Sequence, residues 1–433
     1  VWVALARAEN KAGLVSQAEL KDIEAHAGEI DLKKSLELEK ETKHDVVAEL
    51  RVFASQCKIG GGKLHLGATS MDVVDNAEVL RQREAVALLL SRLCWLLNAF
   101  EKQVRANAAK PCMAFTHLQP AEPTTVGYRL AQYAQDLLSD YEALSALELK
   151  GKGLTGAVGS SASFVRLLEG KKANARELNE WFLQDLGLTD YAVSVQTSPR
   201  KQDFVLLSQL ASLAQSLHKF AFDLRLLQML GEVSEPFKEK QVGSSAMPFK
   251  RNPRASELIC SLTRLVSSMP HVAWENAAWQ GLERTLDDSA NRRVTIPEAF
   301  LALDECLLQC FKVVSGLRVN DVAVERDLNK FGLFSCTEPV LLKAVEKGGD
   351  RQKLHEALRE LSMKAWQKVE RGEENPLVEL IVADKRFGLS AAEVRALMKV
   401  EEHAGLAEEK AIAFAGKLGK LKCAGSKPVF EGF

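Results

Sequence analysis

At 433 residues the chain is long enough to bury a large core and longer than one compact unit usually runs, so two or three domains are expected. Its 57 Lys and Arg against 58 Asp and Glu leave a formal net charge of -1, which excludes a global field for nucleic acid or a membrane surface and leaves any anionic substrate to local clusters. Cys57, Cys94, Cys112, Cys260, Cys306, Cys310, Cys336 and Cys423 form no C-x-x-C and no zinc spacing. That scatter predicts free thiols, a cytoplasmic location and no metal, and no apolar run approaches the roughly 20 residues that span a bilayer.

The chain opens V-W-V-A-L-A-R-A-E-N, already in a helical pattern, and reads as entered part-way through a helix. Residues 1–69 are predicted helical, with a turn at Gly60, Gly61 and Gly62. Val86, Leu90, Leu93, Leu97, Phe100 and Val104 then keep the four-three spacing of an a/d seam, and Leu206, Leu210, Leu213, Leu217, Phe220, Leu224 and Leu227 repeat it.

Stretches 126–149, 254–278 and 298–317 are also long and amphipathic, the second expected to kink at Pro270 and the third opened by a capping box from Thr295 to Glu298. Five such helices imply an elongated bundle. Phe204, Val205, Leu207 and Phe222 widen the apolar face beyond the seam, which predicts that bundles of several subunits pack together.

From about residue 320 the helices are shorter and more charged, with Asp350 capping one after the Gly348-Gly349 break and a capping box from Ser390 to Glu393. The expected fold is all-α in three segments: an N-terminal helical domain 1–69, a central bundle 70–319 and a C-terminal helical domain 320–433. At most a small hairpin is expected, near 151–163. G-x-G-x-x-G and Walker loops are absent, so any nucleotide is held in another way.

Polar segments punctuate the bundle. V-G-S-S-A-M-P-F-K-R-N-P-R, residues 242–254, cannot continue either flanking helix. Gly243 frees the backbone, Pro248 and Pro253 fix it, and Lys250 and Asn252 add a point charge and an amide, which together suit an anion. Thr116-His117-Leu118-Gln119-Pro120 sits before a helix, held extended by prolines, and its histidine can titrate near neutral pH as a general acid. Thr69 and Ser70 put two hydroxyls at a helix entry, a place for a carboxylate. Lys43-His44-Asp45 reads as part of a charged helical segment, and Gln196 to Lys201 opens the leucine-seam helix, with Arg200 and Lys201 readable as surface charges.

In Glu283 to Arg293, E-R-T-L-D-D-S-A-N-R-R, one continuous helix would set Arg284 and Arg293 about 180° apart. They converge only if the chain bends between them, and two guanidiniums with a helix-start hydroxyl then suit a phosphate. His26, His218, His271, His355 and His403 have no companion motif and are assigned structural or solvated roles.

The loop G-S-S-A-M-P-F-K-R-N-P resembles the signature of the fumarase/aspartase superfamily, whose members release fumarate by β-elimination, and its K-R-N-P ending is similar to the adenylosuccinate lyase branch. F-T-H-L-Q-P-A, T-S-P-R-K and E-R-T-L-D-D-S-A-N-R-R strengthen the likeness to the eukaryote-like type. The resemblance implies an all-α lyase that cleaves succinylated purine nucleotides without a cofactor, binds no nucleic acid or membrane, and assembles as a homotetramer with shared active sites.

It also implies roles residue by residue. Ser244 would be the base and His117 the acid that protonates the departing nitrogen. Lys250, Asn252, Thr69 and Ser70 would meet the charge on the succinyl group, while Thr116, Gln196, Lys43, His44 and Asp45 would contact substrate. Arg284, Ser289 and Arg293 would hold the phosphate. Two departures stand out: the family's upstream Arg-Tyr pair lies before Val1, and Leu258 stands where some relatives have arginine, with Arg254 one turn earlier. The alternatives are another fumarate-releasing lyase or a carboxymuconate-type cycloisomerase of the same superfamily, a serine hydrolase built on Ser244 and a non-catalytic helical scaffold; G-S-S-A-M lacks the G-x-S-x-G elbow that the hydrolase needs.

Overall fold

A computed structural model describes residues 1–238, 240–425 and 427. Five long helices, Ser70–Ala106, Val126–Ser145, Lys201–Leu230, Arg254–Ala278 and Asp288–Ser315, carry the predicted seams, and the all-α expectation holds. Leu206, Leu210, Leu213 and Leu217 are fully buried. Each such leucine contributes roughly 1.5–3 kcal/mol. The helix from Asp288 runs unbroken through Pro297, so the capping box expected at Thr295 does not form; the Thr295 hydroxyl instead donates to the Asn291 carbonyl one turn back.

The chain divides into two compact units, and each long helix begins in one and ends in the other. The first unit comprises Val1–Leu89, Ala143–Ala211 and Val266–Leu301; the second comprises Leu90–Glu142, Ser212–Leu265 and the chain from Ala302 onward.

In the first unit, Ala6, Val15, Leu20, Ile23, Cys57 and Leu64 form a small core. Glu9 is buried in the same unit, 1% exposed, and neither carboxyl oxygen has a hydrogen-bond partner among the described residues. Desolvation pushes its pKa up to about 8, against a weaker opposing pull from Lys63. A raised pKa means that the folded state holds the proton more tightly, so the group's stabilising contribution is complete below the unfolded value and is lost as pH rises through about 8. Glu9→Gln, neutral at every pH, is expected to lack that decline. Urea unfolding at about pH 5 and about pH 9 should show the parent losing several kcal/mol relative to the variant, whereas parallel pH curves would contradict the burial of a protonated carboxyl.

In the second unit, Phe220 meets Phe100 and Tyr133 edge-on, with centroids 5.1 and 5.4 Å away. The short C-terminal helices bury Val340, Leu354, Leu361, Leu377 and Val394 in one cluster. Asp350 caps Arg351–Glu370, and Ser390 with Glu393 completes the predicted capping box.

Two local expectations are corrected. Strands β1 (Pro111–Thr116) and β2 (Gln119–Thr125) pair antiparallel, whereas near 151–163 there is only an isolated bridge from Gly151 to Asp190. Pro120 and Pro123 concealed β2, since proline argues against a strand; in a two-stranded ribbon every strand is an edge and proline is tolerated. Cys94 and Cys423 form a disulfide across 329 residues, against the expectation of eight free thiols, while the other six cysteines are free and buried. Spacing alone carries no sign of a partner that remote. Among the described residues no helix is long and apolar enough to cross a membrane.

Candidate active site

A cavity of about 840 Å³ opens within the first unit. Nine of the residues singled out in the sequence line it: Lys43, His44, Asp45, Thr69, Ser70, Gln196, Arg284, Ser289 and Arg293. Thr116, His117, Ser244, Lys250 and Asn252 belong to the second unit and are outside this lining.

The convergence of two arginines on the cavity follows from a bend. Residues 279–287 are irregular and a helix starts at Asp288, so Arg284 on the loop and Arg293 in the helix face one cavity, as the convergence argument required. Arg284 donates only to the Thr285 carbonyl, at 3.1 Å, and has no carboxylate partner among the described residues. Arg293 reaches Asp45 at 2.8 Å. Burial works to raise the Asp45 pKa, but the Val46 amide and Arg293 outweigh it and hold the carboxyl below its ordinary value.

Lys43-His44-Asp45 is a junction between helices, which corrects its reading as helical surface. Lys43 takes a positive φ of 54° after Leu32–Thr42, and His44 is the N-cap of Asp45–Gln56, its Nδ1 accepting from the Val47 amide at 3.4 Å.

Arg200 is also corrected. It is 3% exposed and lines the cavity, donating through Nε to Asp288 at 2.7 Å and through Nη1 to Asp75 at 3.1 Å. Ser198 donates its amide and its hydroxyl to the other Asp75 oxygen, Oδ2. Arg292, about one helical turn beyond Asp288, pairs with Asp203 at 2.7 Å and Glu78 at 2.6 Å, and these carboxylates outweigh the desolvation that would lower its pKa. The cavity's five Lys and Arg side chains therefore divide: Arg200 and Arg292 are neutralised by carboxylates that include the buried Asp75, Asp288 and Asp203, Arg293 shares the partly exposed Asp45, and Arg284 and Lys43 have no carboxylate partner among the described residues. Sequence reasoning missed this buried set because single carboxylates at 75, 78 and 203 carry no motif.

The backbone that carries the hydroxyl pair is fixed just as firmly. Thr69 precedes the Ser70 helix, and its amide donates to the Asp72 side chain at 2.9 Å. The other Asp72 oxygen accepts from the Thr155 and Gly156 amides, each at 3.2 Å, and from the Lys152 ammonium. Asp72 and Lys152 are both wholly buried. Desolvation lowers the Lys152 pKa, and Asp72 opposes that. Gln196 donates to the Ala157 carbonyl at 3.0 Å, which leaves its amide oxygen for a ligand.

In the second unit, His117 and Leu118 are the two turn residues between β1 and β2, with φ of 52° and 58°. Positive φ at both positions is the geometry of a type I′ hairpin turn, which usually takes Asn-Gly, so a His-Leu pair there is strained by roughly 1–3 kcal/mol per residue. The extended-segment expectation gives way to a hairpin tip, on which Thr116, His117 and Leu118 are exposed.

The 242–254 loop folds back on itself. Asn252 Nδ2 donates to the Gly243 carbonyl at 2.9 Å, and a Cβ at Gly243 would lie 2.0 Å from the Lys250 carbonyl, so only glycine fits. Ser244 Oγ accepts from the Met247 amide at 3.1 Å and the Ala246 amide at 3.4 Å. Two amides aimed at one hydroxyl oxygen favour its alkoxide, the form that can act as a base. Lys250 is exposed on this loop.

Comparison with known proteins identifies the family. Residues 1–267 match the lyase family profile, and residues 334–412 match that of the adenylosuccinate lyase C-terminus. Adenylosuccinate lyase of Schistosoma mansoni is 36% identical over 89% of this chain and 82% of its own length, and that of Saccharomyces cerevisiae 36% over 96% and 88%. The crystal structure of fumarate lyase from Mesorhizobium sp. BNC1 superposes with a TM-score of 0.83 at 23% identity, covering 96% of this chain and 93% of that one, which establishes the shared fold. Long helices bearing these polar segments define a C-N lyase of the fumarase/aspartase type. Within that class, the chain belongs to the adenylosuccinate lyase family.

Proposed function

We propose that this chain cleaves adenylosuccinate to AMP and fumarate, and succinylaminoimidazole carboxamide ribotide to AICAR and fumarate, by β-elimination in purine nucleotide biosynthesis. The observation that carries this reading is one nucleotide-sized cavity lined both by Arg284, Ser289 and Arg293 and by Thr69 and Ser70. The first three would hold the phosphate and the last two a succinyl carboxylate, with Gln196, Lys43, His44 and Asp45 as further contacts.

In the reaction, at a site completed by residues of neighbouring subunits, Ser244 takes the proton from the carbon beside a carboxylate, and the aci-carboxylate charge that develops is met by Lys250, Asn252, Thr69 and Ser70. The C-N bond then breaks, its electron pair leaves with nitrogen, a C=C bond forms, and His117 protonates the departing nitrogen, with Thr116 beside it. No cofactor takes part.

The three-segment division 1–69, 70–319 and 320–433 remains our working description of the domains. We assign a homotetramer with shared active sites, supported by Val205, Phe222, Leu265, Trp274 and Leu301 lying exposed on the long helices of a single chain. A cytoplasmic location is supported by the six free buried thiols, and the single disulfide weighs against it.

A different fumarate-releasing lyase is the nearest alternative, and a substrate without phosphate would have no use for Arg284 and Arg293. Dephosphorylated adenylosuccinate separates the two. Its kcat/KM is expected to fall by about 100-fold or more, since charge-assisted hydrogen bonds contribute roughly 1.5–3 kcal/mol each. Equal kcat/KM for nucleotide and nucleoside would contradict the phosphate assignment.

A further inference from the structure

We propose that Arg129 is a positioning residue for His117, holding the strand from which that histidine projects through a buried pair with Glu232. The inference rests on the reading of His117 as the acid and adds a residue that this reading leaves without a role.

Arg129 lies on Val126–Ser145, just after β2, with its side chain 9% exposed; the Glu232 side chain is 0% exposed. Its Nη1 donates to Glu232 Oε2 at 2.9 Å, and its Nη2 donates to the Met113 carbonyl of β1. The guanidinium carbon sits 6.0 Å from the centroid of Phe115. Glu232 is itself fixed by its backbone, its amide donating to the Leu227 carbonyl at 3.0 Å and its carbonyl accepting from the Asn320 amide at 2.8 Å.

The point of contact explains the effect. The ribbon register shifts between Met113 and Phe115, so Ala121 and Glu122 of β2 stand opposite Ala114 alone. A bulge is where a ribbon bends and re-aims what lies beyond it, and what lies beyond is Phe115, Thr116 and the strained His117 turn. One guanidinium nitrogen on a fixed carboxylate, the other on the carbonyl beside the bulge, and its carbon over the Phe115 ring set the angle of that bend. A lysine offers a point charge and cannot present two edges and a face together. Stability alone is a weak reason for the pair, because a buried ion pair is often no better than a well-packed apolar replacement.

The test is a double-mutant cycle on the full-length enzyme. Arg129→Met is expected to lower kcat about tenfold or more with KM nearly unchanged, because a displacement near 1 Å can cost as much as about 100-fold. In a His117→Ala background the same substitution should change the residual kcat by less than about twofold. Arg129→Lys should fall between parent and Arg129→Met. Equal factors in both backgrounds would show that Arg129 acts other than through His117, and an unaltered kcat in Arg129→Met would show that it positions nothing; either overturns the proposal. Wild-type turnover by His117→Ala alone would overturn both this proposal and the acid role beneath it, an outcome distinct from failure of the positioning step. Should Arg129→Met not fold, Glu232→Gln keeps the shape while removing the charge, and the same comparison of factors applies.

Discussion

Ser244→Ala is expected to lower kcat by about a thousandfold, within the 10²–10⁴ that a positioned general base contributes, while AMP and fumarate bind as before. The expectation follows from the loop geometry. Ser244 Oγ already accepts from the Ala246 and Met247 amides, so the charge of an alkoxide would meet donors that need no rearrangement. Ser245 is the natural control: it is adjacent and exposed on the same loop, and its side chain has no hydrogen bond among the described residues. Ser245→Ala should change kcat by less than about tenfold. Equal losses in the two variants would point to a loop disturbed as a whole, and retention of turnover by Ser244→Ala would remove the base from the account.

Asp72→Ala is expected to be the most destabilising single change in the first unit, at about 3–5 kcal/mol, the usual cost of leaving one member of a buried ion pair alone. The Lys152 ammonium would lose its counter-charge, and the Thr155, Gly156 and Thr69 amides would lose an acceptor. Asp72→Asn keeps an acceptor but not the charge, so it should cost less. Replacing both partners, Asp72→Ala with Lys152→Met, should recover much of the loss, because no charge is then left buried. Urea unfolding measures all three. A loss below about 1 kcal/mol for Asp72→Ala would mean that water reaches Lys152 readily. Because Asp72 also holds the Thr69 amide, the same variant should weaken substrate binding, which ties this stability to the site.

Much of the fold was legible because helix periodicity is a local property. The seam from Leu206 to Leu227 and the cap at Asp350 depend only on neighbours a few residues away. The bend between Arg284 and Arg293 was legible for a different reason, since a straight helix could not serve a phosphate with both. What escaped depends on partners remote in sequence. Arg200 looks like a helix-start surface charge until Asp75 and Asp288 are folded around it, and the Cys94–Cys423 bridge spans 329 residues. The β1–β2 ribbon escaped because Pro120 and Pro123 deny the usual strand signal, and with it went the strained turn that presents His117. The family motifs supplied residue identities for this site, and the folded chain supplies the reasons some of them are held so firmly.

The most direct measurement is the product balance of the purified full-length protein with adenylosuccinate. Fumarate and AMP are expected to appear together in equal amounts, at a rate that Ser244→Ala and His117→Ala each reduce at least about a hundredfold. AMP without fumarate, or no turnover at all by the unsubstituted protein, would contradict the β-elimination on which this account rests.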